Sequence, residues 1–328
     1  MRFVIVGTGN IAQTYVTAVD KLQHGDVVGF VSRGNRVPEF VDGGRQVEIA
    51  RTLEELDTEF DAVILATPPG LHHQGAVAAA RLGKHVLTEK PLDISTENMD
   101  AMIEACRVNG VKLGVSYQRR MSPDNRTVKK LLERGVLGIV YAADLSVKFW
   151  RDQAYYDSSP YRGTYAIDGG GPFVQQASHN IDIYTWFFGM PERVVSMLGT
   201  FAHDVEVEDH GACLLRHQNG MIGTIIASTA ARPGFPARLE IHAERGSIVM
   251  ENDVITTWSV DGMDNPSTRP DGVIHSGASV AVTDTAGHEA ILRDFIEAIR
   301  DDREPAVNGE SARAASELIL QIYASCTE

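Results

Sequence analysis

Apolar residues in the first third of the chain come in short unbroken runs, and a segment of helical spacing follows most of them. The runs are Phe3-Val4-Ile5-Val6, Asp26 to Val31, Asp61 to Ala66, Val86-Leu87 and Val111 to Tyr117. Runs without polar alternation are expected of strands buried on both faces. Between them, Ile11 to Leu22, Gly75 to Leu82 and Met99 to Arg107 carry helical periodicity, and Thr52 to Leu56 reads as a short helix capped by Thr52. Strand and helix alternate throughout, which predicts βαβ units, a parallel sheet and an α/β domain.

The pattern changes near Ser116 to Pro123, where the chain leaves a strand and turns basic at Arg119 and Arg120. Residues 1–118 and 119–328 are therefore expected to form separate domains. After a helix over Asn125 to Arg134, Tyr141 to Phe149 alternates with period 2, as a strand with one buried face does. Val194 to Phe201, Gly211 to His217, Met221 to Thr229, Ala237 to Ala243, Ser247 to Glu251 and Val254 to Trp258 continue as strands. Asn219-Gly220 is a hairpin turn. One helix is expected over Phe173 to Phe188, led by Gly169-Gly170-Gly171-Pro172. Glu289 to Arg300 and Ser311 to Ser325 are the closing amphipathic helices. The second domain is thus α+β, with an open and mainly antiparallel sheet. Such a sheet exposes a face that another subunit usually covers, so a homodimer or homotetramer is expected.

Composition narrows the class. A chain of 328 residues suits two cores rather than one. A net charge of −14 argues against nucleic acid or an anionic membrane as partner. No run is long and apolar enough to span a bilayer, and Met1 leads straight into a strand rather than a signal peptide. Cys106, Cys213 and Cys326 form neither a disulfide framework nor a metal-ligand pair, which points to a reducing cytoplasm and no metal. His203 to His210 lacks ligand spacing and reads as a solvated acidic loop.

The first strand runs directly into Gly7-Thr8-Gly9-Asn10-Ile11-Ala12, a G-x-G-x-x-A turn. Gly7 permits the tight turn, Gly9 lets backbone approach a pyrophosphate, and Ala12 allows close helix packing. The helix beginning near Asn10 offers free N–H groups to that anion. The first domain is therefore expected to be a doubly wound dinucleotide-binding Rossmann domain. Ser32-Arg33 closes the second strand where an acidic residue would bond the ribose hydroxyls of NAD. With Arg33 and Arg36 there instead, NADP is favoured and NAD stays open; the bland reading is two solvated loop charges. Thr67-Pro68-Pro69-Gly70 breaks the third run at its carboxyl end, and His72-His73 opens the helix that follows. Glu89-Lys90-Pro91 ends the next run with a charged pair, close to any ligand bound at that edge. The Lys90–Pro91 bond is expected to be cis.

Trp150 to Gly171 carries Trp150, Tyr155, Tyr156, Tyr161 and Tyr165 with Arg151 and Arg162. Aromatic faces with hydroxyl and guanidinium donors suit a polar ring such as a sugar; the alternative is a loop packed by its own tyrosines. Gln175, His179, Asp182 and Trp186 fall at i, i+4, i+7 and i+11, along one face of the helix that follows.

Taken together, Gly7-x-Gly9-x-x-Ala12, Ala66-Thr67-Pro68-Pro69 with His72, Gly83-Lys84-His85-Val86 and Glu89-Lys90-Pro91 resemble the Gfo/Idh/MocA family, that of glucose–fructose oxidoreductase and inositol dehydrogenase. The triple glycine before a helix with His179-Asn180-Ile181-Asp182 resembles its catalytic helix. Gln175 stands where many members carry Asp, and Gln175-Gln176-Ala177 is similar to nucleotide-sugar 3-dehydrogenases, as is the Tyr155-Tyr156, Arg162-Gly163-Thr164 and Asp168 to Gly171 run. The resemblance implies an NAD(P)-dependent dehydrogenase or reductase acting on a secondary alcohol of a sugar or polyol. It implies that Lys90 and His179 handle the proton, converging on one cleft. It places Gln175, Asp182, Trp150, Tyr156, Tyr161 and Arg162 with the substrate. Gly7, Thr8, Gly9, Asn10, Ile11, Ser32, Arg33, Arg36, Thr67, Pro68, His72, Glu89 and Lys90 fall to the cofactor. The rivals are a glycoside hydrolase or lyase that oxidises its substrate transiently, and a cofactor-binding sensor without chemistry.

Overall fold

In the computed structural model, which describes residues 1–34, 38–41, 46–267 and 285–326, the chain divides into two units. One is Met1–Gln118 with Val282–Arg313; the other is Arg119–Ala281 with Ala314–Glu328. The main segment of the first unit ends where the sequence changes character. The helix Ala286–Arg300, expected with the second domain, returns to the first and packs along the helix Asn10–Leu22. Periodicity gave it an apolar stripe but could not say which core the stripe faces.

The buried runs of the first unit form a six-stranded sheet. Its strands are β1 (Arg2–Val6), β2 (Asp26–Val31), β3 (Glu48–Ala50), β4 (Ala62–Leu65), β5 (His85–Thr88) and β6 (Leu113–Val115). Their order is β3-β2-β1-β4-β5-β6, every pair parallel. That is the doubly wound Rossmann arrangement, with its switch point between β1 and β4. Phe3, Val4, Ile5, Val63, Ile64, Leu65, Val86 and Leu87 form the fully buried centre. The helices His72–Arg81 and Thr96–Val108 pack together as a second pair. The short helix expected over 52–56 does not form. Glu48 and Glu55 carboxylates take the amides of Asp57, Thr58 and Arg51 instead, so side chains hold this turn. The three-residue β3 was too short and polar to read from sequence.

The second unit has a seven-stranded sheet: β7 (Val140–Lys148), β8 (Arg193–Gly199), β9 (His210–Arg216), β10 (Ile222–Ser228), β11 (Arg238–Ala243), β12 (Gly246–Glu251) and β13 (Val254–Val260). The order is β13-β12-β11-β7-β10-β9-β8, antiparallel except for the β7–β10 pair. One face buries Ala143, Leu145, Val147, Leu215, Ile225, Ala227, Leu239 and Ile241. The helix Ser178–Phe188 packs on it at β7. Its Tyr184 hydroxyl sits where a side chain at Gly223 would stand, 3.1 Å from His217 Nε2.

Three expectations for this unit change. The helix over 173–188 is broken into Pro172–Gln175 and Ser178–Phe188. The Pro172 carbonyl accepts both the Gln176 and the Ala177 amides, a wide i→i+5 turn that interrupts the helical ladder. The aromatic loop holds a one-turn helix, Gln153–Asp157, capped by Asp152. The acidic loop is solvated only in part: Asp204 and Glu206 are exposed, but Glu208 and Asp209 are buried. Asp209 accepts the amides of Phe201, Ala202 and His203 at 2.9, 2.7 and 3.1 Å and His203 Nδ1 at 2.9 Å. Its charge serves the loop backbone, which residue spacing alone does not show.

Candidate active site

The carboxyl ends of β1, β4 and β5 lie side by side in the first unit and carry the turns singled out above. Gly7 has φ +106°, and a Cβ there would collide with the Ala66 carbonyl. Gly9 caps the helix Asn10–Leu22 without any side-chain hydrogen bond, so the first helical N–H groups stay available. Among the described residues, no atom lies within 4 Å of where a Cβ of Gly9 would stand. Beside this turn, Thr67 Oγ1 is buried and has no hydrogen-bond partner among the described residues. An open glycine at an uncapped helix start and an orphaned hydroxyl fit a dinucleotide. Thr8, Ile11 and Pro68 are half-buried at the same edge, and Asn10 is exposed. Ser32 is fixed at the end of β2 by its amide bond to the Ala50 carbonyl, and Arg33 is exposed. Arg36 lies outside the described residues.

Two of the proposed cofactor residues face inward. His72 is fully buried; Nδ1 lies 3.0 Å from the Pro91 carbonyl and Nε2 2.9 Å from the Thr67 carbonyl. Burial pushes its pKa down, so the ring is neutral and donates to only one of the two. Any part of His72 in cofactor binding is therefore indirect, through the two turns it ties together. Glu89 is also buried, its carboxylate directed at Tyr15 and His288. Lys90 follows it, half-buried, and the Lys90–Pro91 bond is cis.

In the second unit, Gln175 and His179 flank the wide turn and are half-buried in a segment otherwise almost wholly buried. Gln175 Nε2 donates to the Asp168 carbonyl at 2.7 Å. Ser178 Oγ, Asn180 Oδ1 and Gln176 Oε1 are buried without a hydrogen-bond partner among the described residues. Asp182 is completely buried and held by Arg120, whose Nε lies 2.8 Å from Oδ2 and whose NH2 meets Oδ1. Burial pushes its carboxyl up, to about 6, against the pull of Arg120, so it is ionised at neutral pH. Its expected contact with substrate is thereby replaced by a contact with Arg120, which stacks over Trp186. Sequence gave no sign of this partner; Arg119-Arg120 read only as a basic crossing.

The aromatic loop is packed by its own rings. Tyr156 is buried, its hydroxyl 2.7 Å from Thr229 Oγ1, and burial pushes its phenol up to about 12. It is an internal strut rather than an outer wall. Tyr161 and Trp150 are half-buried. Arg162 lies over the Tyr155 ring at 4.3 Å. It pairs with no carboxylate among the described residues, and its Nε makes no hydrogen bond.

The triple glycine rests on two groups that no motif announced. A side chain at Gly170 (φ +144°) would strike the Tyr323 hydroxyl. That hydroxyl donates to Glu208 Oε1 at 2.8 Å, and Gly171 N donates to Oε2 at 3.2 Å. Burial pushes the Glu208 carboxyl up, to about 7. The folded state then holds a proton that the unfolded chain releases near pH 4.3. The resulting stability is present below that value and lost as pH rises through about 7. Glu208→Gln is expected to be more stable than the parent at pH 8, by at least about 1 kcal/mol, and the gap to close toward pH 5. Urea unfolding across that range measures it; a difference independent of pH refutes the assignment.

Comparison with known proteins bears on both units. Residues 1–117 match the oxidoreductase family described as having an NAD-binding Rossmann fold, and residues 125–249 match the GFO/IDH/MocA C-terminal domain. The inositol 2-dehydrogenase of Rhizobium meliloti is 26% identical over 96% of this chain and 93% of its own. The scyllo-inositol 2-dehydrogenase (NADP(+)) of Bacillus subtilis is 28% identical over 66% of this chain and 58% of its own. Among solved structures, the WlbA dehydrogenase from Bordetella pertussis, in complex with NADH and UDP-GlcNAcA, superposes with a TM-score of 0.86. It is 29% identical, with 99% of this chain and 95% of that one covered.

Proposed function

The chain belongs to the GFO/IDH/MocA family of NAD-binding oxidoreductases, and on that premise we propose that it is a dehydrogenase or reductase of a sugar, sugar derivative or polyol. The observation that carries this reading is the edge formed by Gly7–Gly9, Thr67 and Lys90 at adjacent strand ends of one parallel sheet. A nicotinamide bound there carries the hydride, which the protein cannot supply. The protein's share is to bind, to orient and to move a proton. In our reading the Lys90 ammonium donates to the reacting oxygen and His179 takes or returns the hydroxyl proton. Asp182 supports the helix that bears His179 through Arg120. Gln175, Tyr161, Trp150 and Arg162 meet the substrate.

Arg162, stacked on Tyr155 and without a carboxylate partner among the described residues, favours a substrate with an anionic group. A sugar on a nucleotide carrier has one. NADP is our preferred cofactor, because the end of β2 presents Ser32 and an exposed Arg33 where NAD would meet an acid. Arg33→Ala is expected to weaken NADPH binding by roughly 1.5–3 kcal/mol and NADH binding much less. Titrating both cofactors into both proteins decides it; an equal loss for the two removes the NADP assignment. The overall reading is tested by nicotinamide stoichiometry on sugars and nucleotide sugars. One nicotinamide converted per product supports a dehydrogenase, whereas turnover without net conversion supports transient oxidation by a hydrolase or lyase.

Our reading also makes the protein a cytoplasmic homo-oligomer. Cys106 and Cys213 are buried free thiols, as a reducing compartment allows. On the outer face of the second sheet Val195 pairs with Leu214, and Met197 and Ile222 extend the same apolar surface. Val195 is 36%, Met197 69%, Leu214 58% and Ile222 47% exposed. A monomer in sedimentation equilibrium would refute the assembly. Among the described residues, no helix is long and apolar enough to cross a membrane.

A further inference from the structure

Glu89 lies at the meeting point of three elements of the first unit that are far apart in sequence. Tyr15 comes from the helix that follows the glycine turn, Ser116 from the end of β6, and His288 from the helix Ala286–Arg300. All four side chains are buried. The Tyr15 hydroxyl is 2.7 Å from Glu89 Oε1 and 2.7 Å from Ser116 Oγ. One phenolic hydrogen cannot serve both. The carboxylate is the stronger acceptor, so Tyr15 donates to Glu89 and Ser116 donates to Tyr15. His288 Nε2 stands 3.8 Å from the same Oε1, its ring edge-on to Tyr15 with centroids 5.4 Å apart. Oε2 accepts the Lys90 amide at 3.2 Å, and the Glu89 amide is tied to the Leu65 carbonyl at 2.9 Å.

An isolated carboxylate would not stay charged in such a place. This one is surrounded by donors, and its only adjacent cation along the chain is Lys90. We propose that Tyr15 and His288 are positioning residues for Lys90, acting through the buried Glu89 carboxylate, which they hold ionised and fixed against the Lys90 backbone. The consequence is a division of labour. A fixed anion beside Lys90 favours its ammonium, so Lys90 is the hydrogen-bond donor to the reacting oxygen and His179 is left as the base. This rests on the reading of Lys90 given above.

The electrostatics agree. Burial would raise the Glu89 pKa, but the contacts with His288, the Tyr15 hydroxyl and the Lys90 charge outweigh it and hold the carboxyl below the usual range. Coupling is reciprocal: whatever Lys90 does to the Glu89 proton, Glu89 does to the Lys90 proton. The groups facing this carboxylate are Tyr15, His288, Lys90 and His72. His72 feels the Glu89 charge as well as that of Asp93, yet burial keeps it neutral.

The test needs no substrate. Lysines of the full chain are reductively methylated with ¹³C-formaldehyde, and the Lys90 signal is assigned by its loss in Lys90→Met. Its shift is followed against pH in the parent, Glu89→Gln, Tyr15→Phe and His288→Gln. Glu89→Gln is expected to lower the Lys90 titration by about one pH unit, a tenfold change in the proton equilibrium. In Tyr15→Phe and His288→Gln the acid step that Lys90 feels from Glu89 is expected to move up by about one pH unit. Tyr15→Phe keeps the ring and removes one hydroxyl, so it tests the network even where Glu89→Gln folds poorly. A Lys90 signal that titrates identically in all four proteins overturns the inference. Because turnover is not measured, this outcome is separate from a failure of the acid–base reading, which loss or retention of activity in Lys90→Met decides.

Discussion

Lys90→Met will bind NADH nearly as well as the parent protein and turn over its substrate about 10²-fold more slowly, or worse. Met keeps the length and much of the apolar volume of the lysine stem and removes only the ammonium. The glycine turn and the start of the helix Asn10–Leu22 are untouched, so the dinucleotide grip is expected to persist. The lost term is a donor placed at the reacting oxygen, and positioned proton transfer contributes ~10²–10⁴-fold. His179→Ala is expected to behave in the same way through the other half of the transfer. If Lys90 is the donor and His179 the base, the two losses differ in pH profile. His179→Ala removes the limb that reports the base, while Lys90→Met leaves that limb and lowers the plateau. Steady-state rates against pH, with cofactor affinity from fluorescence titration, read both. Full activity in both variants on an authentic substrate would show that the family roles do not carry over to this chain.

The first sheet was legible because burial on both faces leaves an unmistakable apolar run, and because Gly7 and Gly9 interrupt the first run at one point. The edge of that sheet was harder to read. β3 is three residues long, and Glu48 and Glu55 take over what a helix would otherwise do for the amides of 51–58. The break after Gln175 was hidden for a different reason. No proline or glycine marks it, since the interruption is made by one carbonyl, that of Pro172, accepting two amides. Partners were the least legible feature. Glu89, Asp182 and His72 were recognised as residues that matter, but the sequence cannot show that each is turned inward. Tyr15 lies within a helix of ordinary apolar periodicity, and nothing in that pattern marks its hydroxyl. His288 lies nearly two hundred residues from Glu89, and Arg120 sixty-two residues from Asp182. Long-range pairings of this kind leave no periodic trace.

Asp182→Ala is expected to destabilise the protein by roughly 3–5 kcal/mol, the loss seen when one partner of a buried ion pair is removed. The pair itself is no great source of stability, because both ions have been taken out of water. Asp182 is fully buried and Arg120 is 4% exposed. What the substitution leaves behind is a buried guanidinium without the carboxylate that balances its charge. Its place over Trp186 supplies some compensation; Lys129, 5.7 Å from the same ring, keeps its own carboxylate, Glu133 at 3.4 Å, whereas Arg120 would have lost the one that faces it. Removing both partners together, as Arg120→Met with Asp182→Leu, is expected to cost much less than the single change, since no charge is stranded. Urea unfolding of Arg120→Met, Asp182→Leu and the double variant closes the cycle, with Asp182→Ala measured beside them. A single-variant loss under about 1 kcal/mol, typical of an exposed pair, would mean that Asp182 is not buried against Arg120 in solution. It would return Asp182 to the substrate-facing role that the family resemblance first implied.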